Sequence, residues 1–158
     1  MRPGIGHVEH IEIDWEPRPL DPSGYDNDGR ELLQWYRHMQ QASQLLGSPI
    51  DCPTNVDQIM QRCGLVDITQ KTIRIPMRDS VRDPEGSDVL GKEDKAARLF
   101  KIAMSSITTD GRTPRGFESL SMSLFTRQLR WQQHEVRNMC NRLRQILNRN
   151  GLPIYFNL

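Results

Sequence analysis

Five ionisable side chains, His7, Glu9, His10, Glu12 and Asp14, fall within a short stretch near the start of the chain. From His10 to Trp15 polar and apolar residues alternate strictly. On a strand this puts His10, Glu12 and Asp14 on one face and Ile11, Ile13 and Trp15 on the other. An imidazole and two carboxylates on one face could ligate a metal. They could equally form the polar wall of a substrate cleft, with His10 or Glu12 positioning a nucleophile or taking its proton. A spacing of two is easily met by chance, and a solvated strand face accounts for the same residues. His10, Glu12, Asp14 and Trp15 are therefore kept as substrate-cleft candidates. No metal ligand is assigned, and the catalytic residue stays unknown.

The element that must position them is a strand within Arg2–Arg18. A Pro3-Gly4 turn opens it, Val8, Ile11 and Ile13 are β-branched, and Pro17 closes it because proline cannot donate to a ladder. Its polar row is expected at a sheet end, where open α/β sheets place their sites. A loop over Pro17–Gly29 follows, with Asp26, Asn27 or Asp28 available as a helix cap. The spacing of Leu32, Trp35, Tyr36, Met39, Ser43 and Leu46 predicts a helix over Arg30–Leu46 with one inward stripe, stopped at Gly47. That stripe reads as a core face rather than a ligand wall. A shorter helix is expected from the Thr54 cap to Cys63, with Val56, Ile59, Met60 and Cys63 inward and Gly64 as its stop. Val66–Ile75 then favours a strand, with a phase slip near Gln70–Thr72, expected beside the first strand. Met77–Gly91 reads as a polar loop and Lys92–Ile107 as an amphipathic helix. Two more helices follow. One spans Phe117–Gln128, with Phe117, Leu120, Leu124 and Phe125 inward. The other spans Gln132–Asn150, with Val136, Met139, Cys140, Leu143, Ile146 and Leu147 inward and Gly151 as its stop. Pro153–Leu158 reads as a last short strand.

Several of these stretches resemble one family. Arg2-Pro3-Gly4 followed by Val8-Glu9-His10-Ile11-Glu12-Ile13-Asp14-Trp15-Glu16-Pro17-Arg18 is similar to the LaeA-like methyltransferases of filamentous fungi. So are Leu32-Leu33-Gln34-Trp35-Tyr36 and Ser119–Arg127 with the later Trp131. The resemblance implies an α/β fold, the C-terminal part of a class I (Rossmann-like) methyltransferase, with about three strands plus a helical lid insertion. It implies a single partial domain: residues 1–76 as late sheet strands and crossover helices, 77–151 as the lid, and 152–158 as the start of the last strand. It also implies S-adenosylmethionine as cofactor, a role in regulating fungal secondary metabolism, a nuclear location (cytoplasm as the alternative) and velvet-type regulatory partners.

The cofactor device of that fold is a strand, a glycine-rich turn and a helix N-terminus, because only glycine lets backbone approach the ligand closely. Gly4 and Gly6 precede a strand instead of following one. No cofactor-binding residue is carried over, and the chain is expected to be inactive alone. It reads as a truncated copy, a degenerate gene product or the product of an incomplete gene model. The alternative function is a non-catalytic interaction module that docks to a regulatory partner.

Bulk properties narrow the choice further. A net charge of +1 gives no global field toward nucleic acid or a membrane surface. No apolar run approaches the ~20 residues of a membrane helix, and the N-terminus lacks a signal-peptide core, so secretion is not expected. Cys52, Cys63 and Cys140 are odd in number and far apart, which suits buried thiols in a reducing compartment. Arg112, Arg115, Arg127, Arg130, Arg137, Arg142, Arg144 and Arg149 crowd the last third with few carboxylates. Without interleaved aromatics they read as a charged outer face rather than a nucleic-acid surface.

Overall fold

β3, Ile154–Asn157, is the central strand of a three-stranded sheet of order β1-β3-β2. β1 spans Asp14–Pro19 and β2 spans Arg74–Pro76. The computed structural model describes residues 6–21, 23–76, 116–148 and 154–158. Its helices among the described residues are α1 (Asn27–Leu46), α2 (Val56–Arg62), α3 (Gly116–Gln128) and α4 (Gln133–Asn148). The expected helix Lys92–Ile107 and the polar loop before it lie outside the described residues. So do Gly4, Gly151, Arg112, Arg115 and Arg149.

β3 pairs antiparallel with both neighbours, so β1 and β2 run parallel without touching. This corrects the expectation that the second strand lies beside the first. β1 is also displaced. The alternating segment His10–Ile13 precedes it, and its span runs through Pro17 to Pro19. The register explains both. Asp14 faces Asn157 and Arg18 faces Tyr155, so the ladder has used up β3 before His10 is reached. Between those two pairs β1 holds two residues more than β3, a bulge. Asp14 Oδ1 accepts the Glu16 backbone N–H at 3.0 Å there. Pro17, which lacks a ladder donor, sits inside the bulge, fully buried. Ile13 and Trp15 pack against the core as expected, but Ile11 is 49% exposed. β2 is likewise shorter than Val66–Ile75 because β3 offers so few partners. A flanking Ile73–Leu158 pair of hydrogen bonds, 2.8 and 2.9 Å, extends it by one residue. Val66 is left 80% exposed.

α1 starts where the Asp26 carboxylate accepts Gly29 N–H at 2.6 Å. It ends at Gly47 (φ +77°), where the Gly47 and Ser48 N–H groups return to Gln44 and Ser43 carbonyls. Leu32, Trp35, Tyr36, Met39 and Ser43 are buried as the stripe predicts. Leu46 is exposed, and Ala42 takes a core place instead. The α4 stripe is buried throughout. In α3, Phe117 and Phe125 are buried, Leu124 is half-buried and Leu120 is exposed. α2 buries none of its residues, so its expected inward face is not one: Ile59 and Cys63 are exposed. Thr54 is not its cap; Asn55 stands there without a side-chain bond. The turn between α3 and α4 is tight. Arg130 takes φ +61°, and Glu135 accepts the Gln132 N–H at 2.6 Å, closing the α4 N-terminus.

Ile75, Ile154 and Phe156 share one core with α1, α3 and α4. Two polar features bear on it, one inside and one at its margin. Trp35 Nε1–H donates to Ser121 Oγ at 2.8 Å, joining α1 to α3 in a fully buried contact. His38 packs edge-on against Trp131 (4.8 Å between ring centres) and Phe125 (6.0 Å), and its buried Nε2 has no hydrogen-bond partner. Burial holds the His38 imidazole below its ordinary value, because the charged form loses water there.

Ser121→Ala strands the Trp35 N–H in an apolar core. It is expected to lower unfolding free energy by about 1–3 kcal/mol, read by urea titration. For His38 the unfolded chain binds more protons than the folded one below the ordinary value of 6.5. Stability is therefore full above pH 6.5 and falls as pH drops below it. His38→Leu is expected to flatten that slope between pH 7 and pH 5, measured by thermal melts.

Candidate functional site

The bulge in β1 turns Asp14, Glu16 and Arg18 toward one another. Arg18 Nη1 lies 2.7 Å from Asp14 Oδ2, and Arg18 Nη2 lies 2.7 Å from Glu16 Oε2. Burial disfavours the Arg18 charge, but the Asp14 bond and the two carboxylates outweigh it and raise the guanidinium above its ordinary value. These three residues form one wall of a cleft of about 270 Å³. Leu33, Tyr36, Arg37 and Gln40, one turn after another on α1, form the second. Asp51, Cys52 and Thr54 form the third.

That third wall is not held by secondary structure. Ser43 Oγ accepts the Ile50 N–H at 3.2 Å and donates to the Gln40 carbonyl at 2.8 Å. Gln40 Nε2 donates to Asp51 Oδ1 at 2.5 Å. The link after α1 is thus laced back onto the helix, and Cys52 and Thr54 follow into the cleft. Burial first, then the charges of Asp14, Asp51 and Glu16, push the Tyr36 phenol up to about 12. Burial and the Asp14 and Glu12 charges raise the Cys52 thiol as well. Both groups are neutral at physiological pH: a phenol that can donate or accept, and an unreactive thiol.

The four sequence candidates part company. Asp14 lines the cleft. His10 and Glu12 stand outside it, exposed, 3.4 Å from each other. Trp15 packs against the core. His10 and Glu12 precede the paired strand, so no ladder fixes their direction relative to Asp14. Among the described residues no cluster of three or more His, Cys, Asp or Glu is arranged to hold a metal ion. Sequence reasoning missed Glu16, Arg18, Gln40, Asp51, Cys52 and Thr54 as site residues and placed Tyr36 in the core. The i, i+4 pair Asp14/Arg18 was the available signal. The arginine-rich surface is also more compensated than its composition implies: Arg137 pairs with Glu118 at 3.3 Å and Arg142 with Glu31 at 3.1 Å.

The described residues do not fit S-adenosylmethionine. Among the described residues the strand–glycine–helix connection is β1 to α1, with Gly24 at φ +108°. A side chain at Gly24 would meet nothing within 4 Å, so that backbone is no cradle. The helix N-terminus beyond it is closed by Asp26. A Cβ on Gly29 would lie 3.0 Å from Asp26 Oδ1 and 3.3 Å from Ile154 Cδ1. Among the described residues, that connection therefore offers a ligand no glycine cradle at the helix N-terminus.

No protein-family model matches the chain, and no solved structure does. Curated relatives do. A protein of Cochliobolus heterostrophus named secondary metabolism regulator LAE1 is 28% identical over all of this chain and 46% of its own length. The secondary metabolism regulator laeA of Gibberella zeae is 30% identical over 89% of this chain and 39% of its own. A protein-methionine methyltransferase laeA of Chaetomium globosum is 32% identical over 49% of this chain and 24% of its own. The chain spans less than half the length of each. Over most of its length the chain is homologous to part of the LaeA/LAE1 secondary metabolism regulators.

Proposed function

We propose that this chain supplies the acceptor side of an S-adenosylmethionine-dependent, class I LaeA-like methyltransferase that regulates fungal secondary metabolism. The methyl-donor pocket would come from polypeptide equivalent to the unmatched part of the relatives. The observation that carries the reading is the sheet. Its last strand enters antiparallel between two mutually parallel strands, the ending that a class I methyltransferase sheet has. The Chaetomium globosum relative, named as a methyltransferase, supports the chemistry.

Methyl transfer in such a fold is mainly positioning, with the acceptor aligned and water excluded. Asp14, Glu16 and Arg18 are already locked together, so they present a fixed polar wall rather than mobile charges. Tyr36 and Gln40 add hydrogen-bonding groups from α1. α3 and α4 serve as part of the lid. By the same reading the protein works in the nucleus with velvet-type regulators, and this chain alone transfers no methyl group.

The second reading, a non-catalytic module docking to a regulatory partner, draws on a different feature. Val8 and Ile11 are exposed on the segment leading into β1, an edge strand of the described sheet.

Calorimetric titration of the purified chain with S-adenosylmethionine is expected to be silent. Replacing the matching segment of the Cochliobolus heterostrophus LAE1 protein by this chain is expected to preserve metabolite production, and Arg18→Ala in the chimera to reduce it at least tenfold. Micromolar binding by the chain alone overturns the divided pocket. A chimera indifferent to Arg18→Ala overturns the acceptor reading and leaves the docking module.

A further inference from the structure

We propose that Ser48, on the link between α1 and α2, is a phosphorylation site for a proline-directed protein kinase, and that the phosphate releases the third wall of the cleft. Ser48 and Pro49 are both exposed, and residues 48–53 belong to no helix or strand. Among the described residues Ser48 is the one serine or threonine followed by proline. Pro49 matters to a kinase in two ways. It disfavours the helical conformation at Ser48 and favours the extended one that a kinase groove takes. It also brings no backbone N–H, so a groove without an acceptor after the serine takes proline and orphans no donor, as any other residue would. The step is phosphoryl transfer from ATP. Ser48 Oγ bonds to the γ-phosphorus, and the bond from that phosphorus to the β–γ bridging oxygen breaks. ADP leaves with the electron pair, and the serine proton passes to the kinase's catalytic carboxylate.

The position of Ser48 gives the modification its effect. Its N–H donates to the Ser43 carbonyl at 3.0 Å as part of the α1 stop. Two residues on, the Ile50 N–H donates to Ser43 Oγ at 3.2 Å, and three residues on, Asp51 Oδ1 accepts from Gln40 Nε2 at 2.5 Å. These two bonds lace Asp51 to α1, and Cys52 and Thr54 follow it into the cleft wall. The α1 C-terminus already carries partial negative charge on its last carbonyls, and its last turn holds no basic residue. A phosphate adds about −2 charges at that point, with Asp51 three residues beyond. Repulsion from the carbonyls and from Asp51 acts on the same short link. Beyond it α2 buries none of its residues, so the link has no second anchor there. The phosphorylated link therefore leaves α1 and carries Asp51, Cys52 and Thr54 out of the cleft. This control acts on the cleft whatever ligand the cleft takes.

The test incubates the purified chain with ATP and, in parallel, a mitogen-activated and a cyclin-dependent protein kinase. Peptide mass spectrometry then separates a label on Ser48 from one on Thr113, the other hydroxyl residue before a proline. Ser48 is expected to reach at least half occupancy with one of the two kinases. Pro49→Ala is expected to slow labelling of Ser48 at least tenfold, and Ser48→Ala to abolish that label. In the phosphorylated chain the Ile50 amide is expected to exchange with solvent at least fivefold faster, while the amides of α4 keep their protection. The Gln40 side-chain amide signals are expected to move to the NMR positions they take in Asp51→Ala. No label at Ser48 from either kinase, or an equal rate in Pro49→Ala, would overturn the proposal. So would a labelled chain in which Ile50 exchange is unchanged or slower. None of these readouts involves methyl transfer, so an inert chimera sinks the acceptor reading alone, and an unlabelled Ser48 beside an active chimera sinks this one alone.

Discussion

β1 and β2 come from distant parts of the first half of the chain and never touch; both are held by a strand from its far end. Ile154 and Phe156 bury completely in the core, while the backbone of their four-residue strand pairs outward in both directions. One short segment thus closes the sheet and seals the core. Two side chains of this size contribute about 1.5–3 kcal/mol each by burial. On the opposite sheet face Arg74 stacks over the Tyr155 ring at 5.2 Å.

The cleft is a consequence of that arrangement. With Asp14 fixed opposite Asn157 and Arg18 opposite Tyr155, the surplus of β1 has to bulge. The bulge turns three charged side chains inward onto α1. Tyr25 reinforces it, its hydroxyl donating to the Pro17 carbonyl at 2.6 Å. The charges of the cleft are therefore set by strand register. A one-residue slip of β3 would unmake both the Asp14–Arg18 bridge and the core position of Phe156.

What could be read from sequence was what local periodicity determines. The α1 and α4 stripes are long and regular, so Leu32, Trp35, Met39, Val136 and Leu143 fall where their spacing puts them. Strand boundaries were not legible, because they depend on how far the partner strand reaches. His10–Ile13 alternates as well as any strand yet has no opposite number in β3. Leu46 and Leu120 fit their helices' apolar rows but extend past the surfaces that could cover them. Ser121 and His38 look like ordinary polar residues until the tertiary fold brings Trp35 and Trp131 against them. Tyr36 was half legible. Its spacing marks it as core, while its position at the margin of the stripe, next to Arg37, is what puts it in the cleft wall.

Amide hydrogen exchange in the full chain and in a chain lacking Ile154–Leu158 probes that dependence at its source. With the last strand gone, β1 and β2 should lose protection together, Ile75 in β2 as completely as Arg18 in β1. Protection retained in either strand of the shortened chain would mean that something other than β3 holds the sheet, and that pairing with β3 does not create the cleft.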